Sequence, residues 1–262
     1  ARPLLELAAA ANRPDLFIAH YYLGWLAMQR QDGPLAAAEF ELYLAQRPKE
    51  VAANDHEIHE LHGRAYLLMK DAPKARAAFE AAQAGRPESV GIQMGLVAVL
   101  DLEGKAPAAV KLLDGLVARF PKAPDPRARL ARVLLTAGNV KRAEALTREL
   151  LALQNSAPAH LLMADVHLAQ KQYPAAEREL RATLKLQPRQ PAAQISLGHV
   201  LQILGRHDDA ITVLDAAAAA GGPEQASLLA ALGTVQRRAG RHDQAVVTHL
   251  KLAALDPPGP LA

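Results

Sequence analysis

Residues 191–222 read PAAQISLGHVLQILGRHDDAITVLDAAAAAGG, and this stretch decides the fold. Its apolar residues Ile195, Leu197, Val200, Leu201, Ile203 and Leu204 recur with a helical period rather than the two-residue alternation of a strand. Gly205 interrupts that period, and a second helix is expected to restart near Asp208, a good N-cap, and to run through Ile211, Leu214 and Ala217. Two helices joined by so short a break form an antiparallel hairpin. Gly198 on the first helix and Ala210 on the second lack bulk where the two backbones must approach closely. Glycine or proline then closes the unit, because proline cannot continue a helix.

The same unit recurs along the chain. Ala210 belongs to a ladder of seven alanines, Ala36, Ala75, Ala109, Ala143, Ala176, Ala210 and Ala245, separated by 39, 34, 34, 33, 34 and 35 residues. Twelve residues after the ladder come Pro48, Pro87, Pro121, Pro188 and Pro257, a second marker in the same phase. Twelve residues before it come the small or modest side chains Gly24, Gly63, Val97, Ala131, Ala164, Gly198 and Gly233. Registers that agree from independent residue types mark a true repeat of two helices, so function has to be read from the array.

This pattern resembles the tetratricopeptide repeat, with Leu-Gly inside the first helix, alanine early in the second, a large apolar residue four later and a closing proline. Leu23, Gly24, Ala36, Phe40 and Pro48 carry the resemblance in the first repeat, and Gly63, Tyr66, Ala75, Phe79, Ala82 and Pro87 in the second. The middle repeats depart from it, with Val97 for glycine, Thr147 for the large apolar residue and Asn155 for proline. The resemblance, to a bacterial-type array, implies an all-α, right-handed superhelical solenoid of antiparallel helix pairs. Its seven repeats are expected at 17–50, 56–89, 90–123, 124–156, 157–190, 191–224 and 226–259. Residues 1–16 fit the second helix of a truncated preceding repeat and 260–262 a tail, so the chain reads as a fragment of a longer protein.

Composition suits thin helix pairs: half of the residues are hydrophobic but only 4% aromatic, which argues against a large ligand cavity. The absence of cysteine excludes disulfides, thiolate metal sites and a cysteine nucleophile, and leaves cytoplasm and periplasm open. No apolar stretch is long enough to span a bilayer, which reads as a soluble chain.

No catalytic signature or cofactor motif is present: there is no phosphate loop, no HExxH and no nucleophile elbow. Asp208 and Asp209 sit at a helix start, where orphan N–H groups favour acids. His56, His59 and His62 lie three apart on one helix, but steps of three drift around it, so they read as packing histidines rather than metal ligands. Asn54 with Glu57 reads as a capping box.

The resemblance places binding on the concave face, at first-helix positions two, five, six, nine, twelve and thirteen. Those positions hold Tyr21, Tyr22 and Trp25 in the first repeat, Arg64 in the second, Met94 in the third, and Arg129 and Arg132 in the fourth. They hold Asp165 in the fifth, His199 and Gln202 in the sixth and Arg237 in the seventh. Aromatic and arginine side chains are the types enriched at interface hot spots. Between Gly115 and Arg148 there are eight basic residues against the two acids Asp125 and Glu144, so an acidic peptide is a reasonable partner. A net charge of only +3 and the lack of a repeated base-reading code argue against nucleic acid. The expected function is a non-catalytic scaffold that holds a peptide or partner helix, with homo-oligomers through exposed solenoid ends. The alternative is the substrate-recognition or dimerisation region of a larger enzyme, such as a sulfotransferase, glycosyltransferase or oxygenase.

Overall fold

The computed structural model describes residues 17–255, apart from the side chains of residues 52–54. The segments expected at 1–16 and 260–262, and the capping role expected of Asn54, lie outside the described residues. Fourteen α-helices and no strand are present among the described residues. The chain divides at the Pro126–Arg127 bond into two compact units.

The first unit contains α1 (Ile18–Gln29), α2 (Gly33–Gln46), α3 (Asp55–Leu68), α4 (Ala72–Gly85), α5 (Val90–Leu102) and α6 (Ala106–Arg119). Helix α7 (Pro124–Thr136) runs across the division. The second unit continues with α8 (Val140–Leu153), α9 (Ala157–Ala169), α10 (Tyr173–Leu186) and α11 (Pro191–Ile203). It ends with α12 (His207–Ala219), α13 (Gln225–Arg238) and α14 (His242–Leu255). Within each unit consecutive helices pack on one another, and first helices also touch the next first helix, as in α1 with α3, α3 with α5 and α11 with α13.

All seven ladder alanines are buried, none more than 5% exposed. Opposite the small residue of the first helix stands a large one, four residues beyond the ladder. The Phe40 ring fills the notch at Gly24, Phe79 that at Gly63 and Leu214 that at Gly198, and a Cβ at any of the three glycines would come within 3 Å of that side chain. In the fourth repeat, where the small residue is Ala131, the corresponding side chain is the smaller Thr147, which is buried and whose hydroxyl donates to the Ala143 carbonyl at 2.7 Å.

A third register emerges from the backbone. Five residues before each ladder alanine the chain turns left-handed, at Gln31, Lys70, Gly104, Gly138, Lys171, Gly205 and Gly240. At each of the seven turns the next residue donates its N–H to a carbonyl five residues back, as Asp32 does to Ala27 at 3.0 Å and Arg206 to Leu201 at 2.9 Å. This helix-ending motif satisfies orphan carbonyls and favours glycine, since a Cβ crowds the following carbonyl oxygen. Lys171→Gly is therefore expected to stabilise the second unit by about 0.5–1 kcal/mol. A denaturation midpoint that stays level or falls would show that Lys171 carries no such strain.

From small residue to ladder alanine the hairpin has a constant length, and all variation in repeat length falls in the junction after the second helix. The longest junction contains a 3-10 turn over Lys49–Asn54, fastened by the fork of Arg47, whose Nε donates to Asp55 Oδ1 at 2.6 Å and whose Nη2 donates to Oδ2. Where Asn155 replaces the closing proline, its Oδ1 bonds His160 Nε2 at 2.6 Å. One local expectation is corrected. Helix α12 begins at His207 after Arg206, so Asp208 lies within its first turn and does not cap it. The Asp208 carboxylate instead accepts from Arg241 at 3.1 Å, tying the last two repeats together.

Candidate functional site

The residues expected to bind all lie on first helices, and each unit brings some of them together. On α1, Ile18, Tyr22 and Trp25 are spaced i, i+4 and i+7, and all are between 44% and 49% exposed. Together they form a stripe of large apolar side chains on one face of α1. Tyr21 turns the other way: its ring lies 6.2 Å from Tyr43, and burial, followed by the nearby Glu57 charge, pushes its hydroxyl pKa up. It stays in touch with the stripe through an edge contact to Tyr22 at 5.2 Å. Arg64 is exposed on α3 and pairs with Glu60, whereas Met94 on α5 is half-buried.

In the second unit, Arg129 and Arg132 follow one another on α7, the first half-buried and the second exposed. The charge of Arg132 reaches Asp165 on α9. Burial raises the Asp165 carboxyl above its ordinary value, and the Arg132 charge offsets part of that rise. His199 and Gln202 meet in a single cavity of about 350 Å³ between α11 and α13. Its walls are Ile195, Ser196, Leu214, Ala230, Ala231, Thr234 and Val235. His199 is exposed at its mouth, while Gln202 is 7% exposed. Arg238 donates to Gln202 Oε1 at 3.4 Å, and the Nε2 of Gln202 is buried without a hydrogen-bond partner. Arg237 is exposed outside this lining.

The small residues of α13 are the part of this cavity that residue-type reasoning passed over. Ala230, Ala231 and Thr234 occupy positions five, six and nine of the seventh repeat, the same register that selects His199 and Gln202 in its neighbour. A groove position can contribute by leaving room, and its signal is the register rather than the side chain.

The histidines of α3 pack in the first unit. His62 is buried with its ring 4.4 Å from that of Tyr66, and its Nε2 is 3.8 Å from Glu41 Oε1. Burial lowers the pKa of His62 and of His59. Tyr66 donates its hydroxyl to the same Glu41 at 2.6 Å, and its pKa is raised, first by burial and then by that bond. No three His, Asp or Glu side chains among the described residues are arranged to hold one ion. None of the described helices is long and apolar enough to cross a membrane.

Comparison with known proteins agrees with this architecture. One tetratricopeptide-repeat profile matches residues 102–166, and a second matches 1–51, 60–124, 161–221 and 196–260. No curated protein sequence matches the chain. Among solved structures, a tetratricopeptide repeat protein from Parabacteroides merdae is 14% identical, with a TM-score of 0.67 over 93% of this chain and 94% of its own. PilW, a type IV pilus biogenesis factor, is 18% identical, with a TM-score of 0.68 over 79% of this chain and 96% of its own. PilF of Pseudomonas aeruginosa is also 18% identical, with a TM-score of 0.65 over 78% of this chain and 93% of its own. Likeness at such identity speaks for the fold alone. The profiles cover most of the chain, and the chain belongs to the tetratricopeptide-repeat family.

Proposed function

We propose that this chain is a non-catalytic scaffold that holds an extended peptide segment across the first helices of its second unit. The observation that carries the reading is the cavity between α11 and α13, where groove positions of two successive repeats meet. The lining is mostly apolar with small side chains, which suits one aliphatic side chain of the bound segment. Arg129 and Arg132 on α7 supply the cationic end of the same unit and favour acidic residues elsewhere in the segment.

The test uses acidic peptides selected by display against the protein and titrated by fluorescence anisotropy at low and moderate salt. Arg129→Glu with Arg132→Glu is expected to weaken binding about tenfold or more at low salt, with helicity unchanged, and added salt to narrow the gap to wild type. Ala231→Phe, which fills the cavity, is expected to weaken binding at every salt concentration. Equal affinities for wild type and both variants throughout would overturn the assignment.

A further inference from the structure

Helix α14 carries an apolar face that a following repeat would not cover. Val247 is 53% exposed and Leu250 65%, three residues apart on one side of the helix, with Ala254 exposed one turn further on. Leu250 stands five residues beyond the ladder alanine. The six equivalent residues, Glu41, Glu80, Asp114, Arg148, Arg181 and Asp215, are all charged, and all but the half-buried Asp114 are exposed, although the next helix pair packs against the helices of those five. Val247 stands two beyond the ladder, where the other six repeats also carry exposed residues, none of them a large aliphatic. Stacking of one more repeat thus explains neither side chain, because each position stays exposed in at least five of the six other repeats. Only the last described repeat replaces the charge by leucine.

We infer that this face pairs with the same face of a second copy of the chain, α14 against α14, antiparallel about a two-fold axis. The charges on the helix favour a copy of itself as occupant. Asp243 lies at the start of α14 and Lys251 two turns later, both exposed and both beside the Val247–Leu250 stripe. An axis passing between Val247 and Leu250 sets each Leu250 against the other copy's Val247. It leaves Asp243 of one copy about 4.5 Å along the helix from Lys251 of the other, within reach of a lysine side chain. A two-fold interface must be self-complementary in this way. Parallel pairing would instead set like charges side by side. The surface also offers a hole for the leucine knob: a cavity of about 400 Å³ opens between α12 and α14, lined by Ile211, Asp215, Val247, Thr248 and Lys251 among others.

Sedimentation equilibrium tests the inference on the whole chain. Wild type at low salt is expected to show a monomer–dimer equilibrium with a dissociation constant on the order of 10 μM, as befits a small interface. Leu250→Glu, at a site exposed in the monomer, is expected to weaken the dimer at least about tenfold by burying an unpaired charge, with the circular dichroism of the monomer unchanged. Asp243→Lys and Lys251→Asp are each expected to weaken it, and the two together to restore it, which only opposite-charge contact between copies achieves. A wild type that stays monomeric up to on the order of 1 mM would overturn the inference. So would a dimer indifferent to Leu250→Glu, and failure of the double charge exchange to restore association would overturn the antiparallel pairing. None of these sites lines the peptide cavity, so peptide affinity is expected to stay level in every variant.

Discussion

Replacing Phe79 by alanine is expected to destabilise the first unit by about 3–5 kcal/mol, the range for truncating a fully buried aromatic side chain. Phe79 on α4 is wholly buried, and its ring occupies two notches at once. A Cβ on Gly63 of α3 would come within 2.9 Å of it, and one on Gly95 of α5 would overlap it. The ring therefore joins its own hairpin to the next first helix, and its removal opens a void between three helices. Hydrogen exchange should show protection lost in α3, α4 and α5 while α11, α12 and α13 keep theirs, because a repeat array loses stability locally. Adding Gly95→Ala should then change sign: destabilising beside the intact ring, it should be stabilising in the Phe79→Ala background, where the methyl group meets empty space. A uniform loss of protection along the chain, or no change in sign, would refute this account of the ring.

Ala210→Leu is expected to cost about 1–3 kcal/mol in the second unit. Ala210 is completely buried on α12, four residues before the Leu214 side chain that fills the Gly198 notch. Three added carbons have no room between paired helices at that density of packing. Ala216→Leu on the same helix is the useful contrast, since Ala216 is exposed and its replacement should be nearly neutral. Equal midpoints for the two variants would remove Ala210 from the contact.

Much of this was open to inspection in the amino-acid string, and the reason is local. The ladder alanines and the Gly24, Gly63 and Gly198 notches are marked by their own size, so the hairpin can be read without knowing what surrounds it. Three turns left no such mark: Gln31, Lys70 and Lys171 adopt the left-handed conformation without being glycine. Asp208 carried a capping residue type, yet its carboxylate is claimed by Arg241 in the next repeat, 33 residues away and invisible to local reasoning. Tyr21 shares the groove register with Tyr22, but the contact with Tyr43 draws its ring inward. The α11–α13 cavity was half legible: His199 and Gln202 announced themselves by type, whereas Ala230 and Ala231 matter through what they leave empty.

The division between fixed hairpins and adjustable junctions bears on how such a chain changes over generations. Each hairpin is closed by its own turn, at a constant distance from the ladder alanine, so an insertion there would shift a knob out of its notch and be purged. A codon gained or lost between hairpins disturbs neither. The junctions at 49–54 and 220–224, the two that exceed the usual length, are in this light the places where homologous chains are expected to differ from this one most in length.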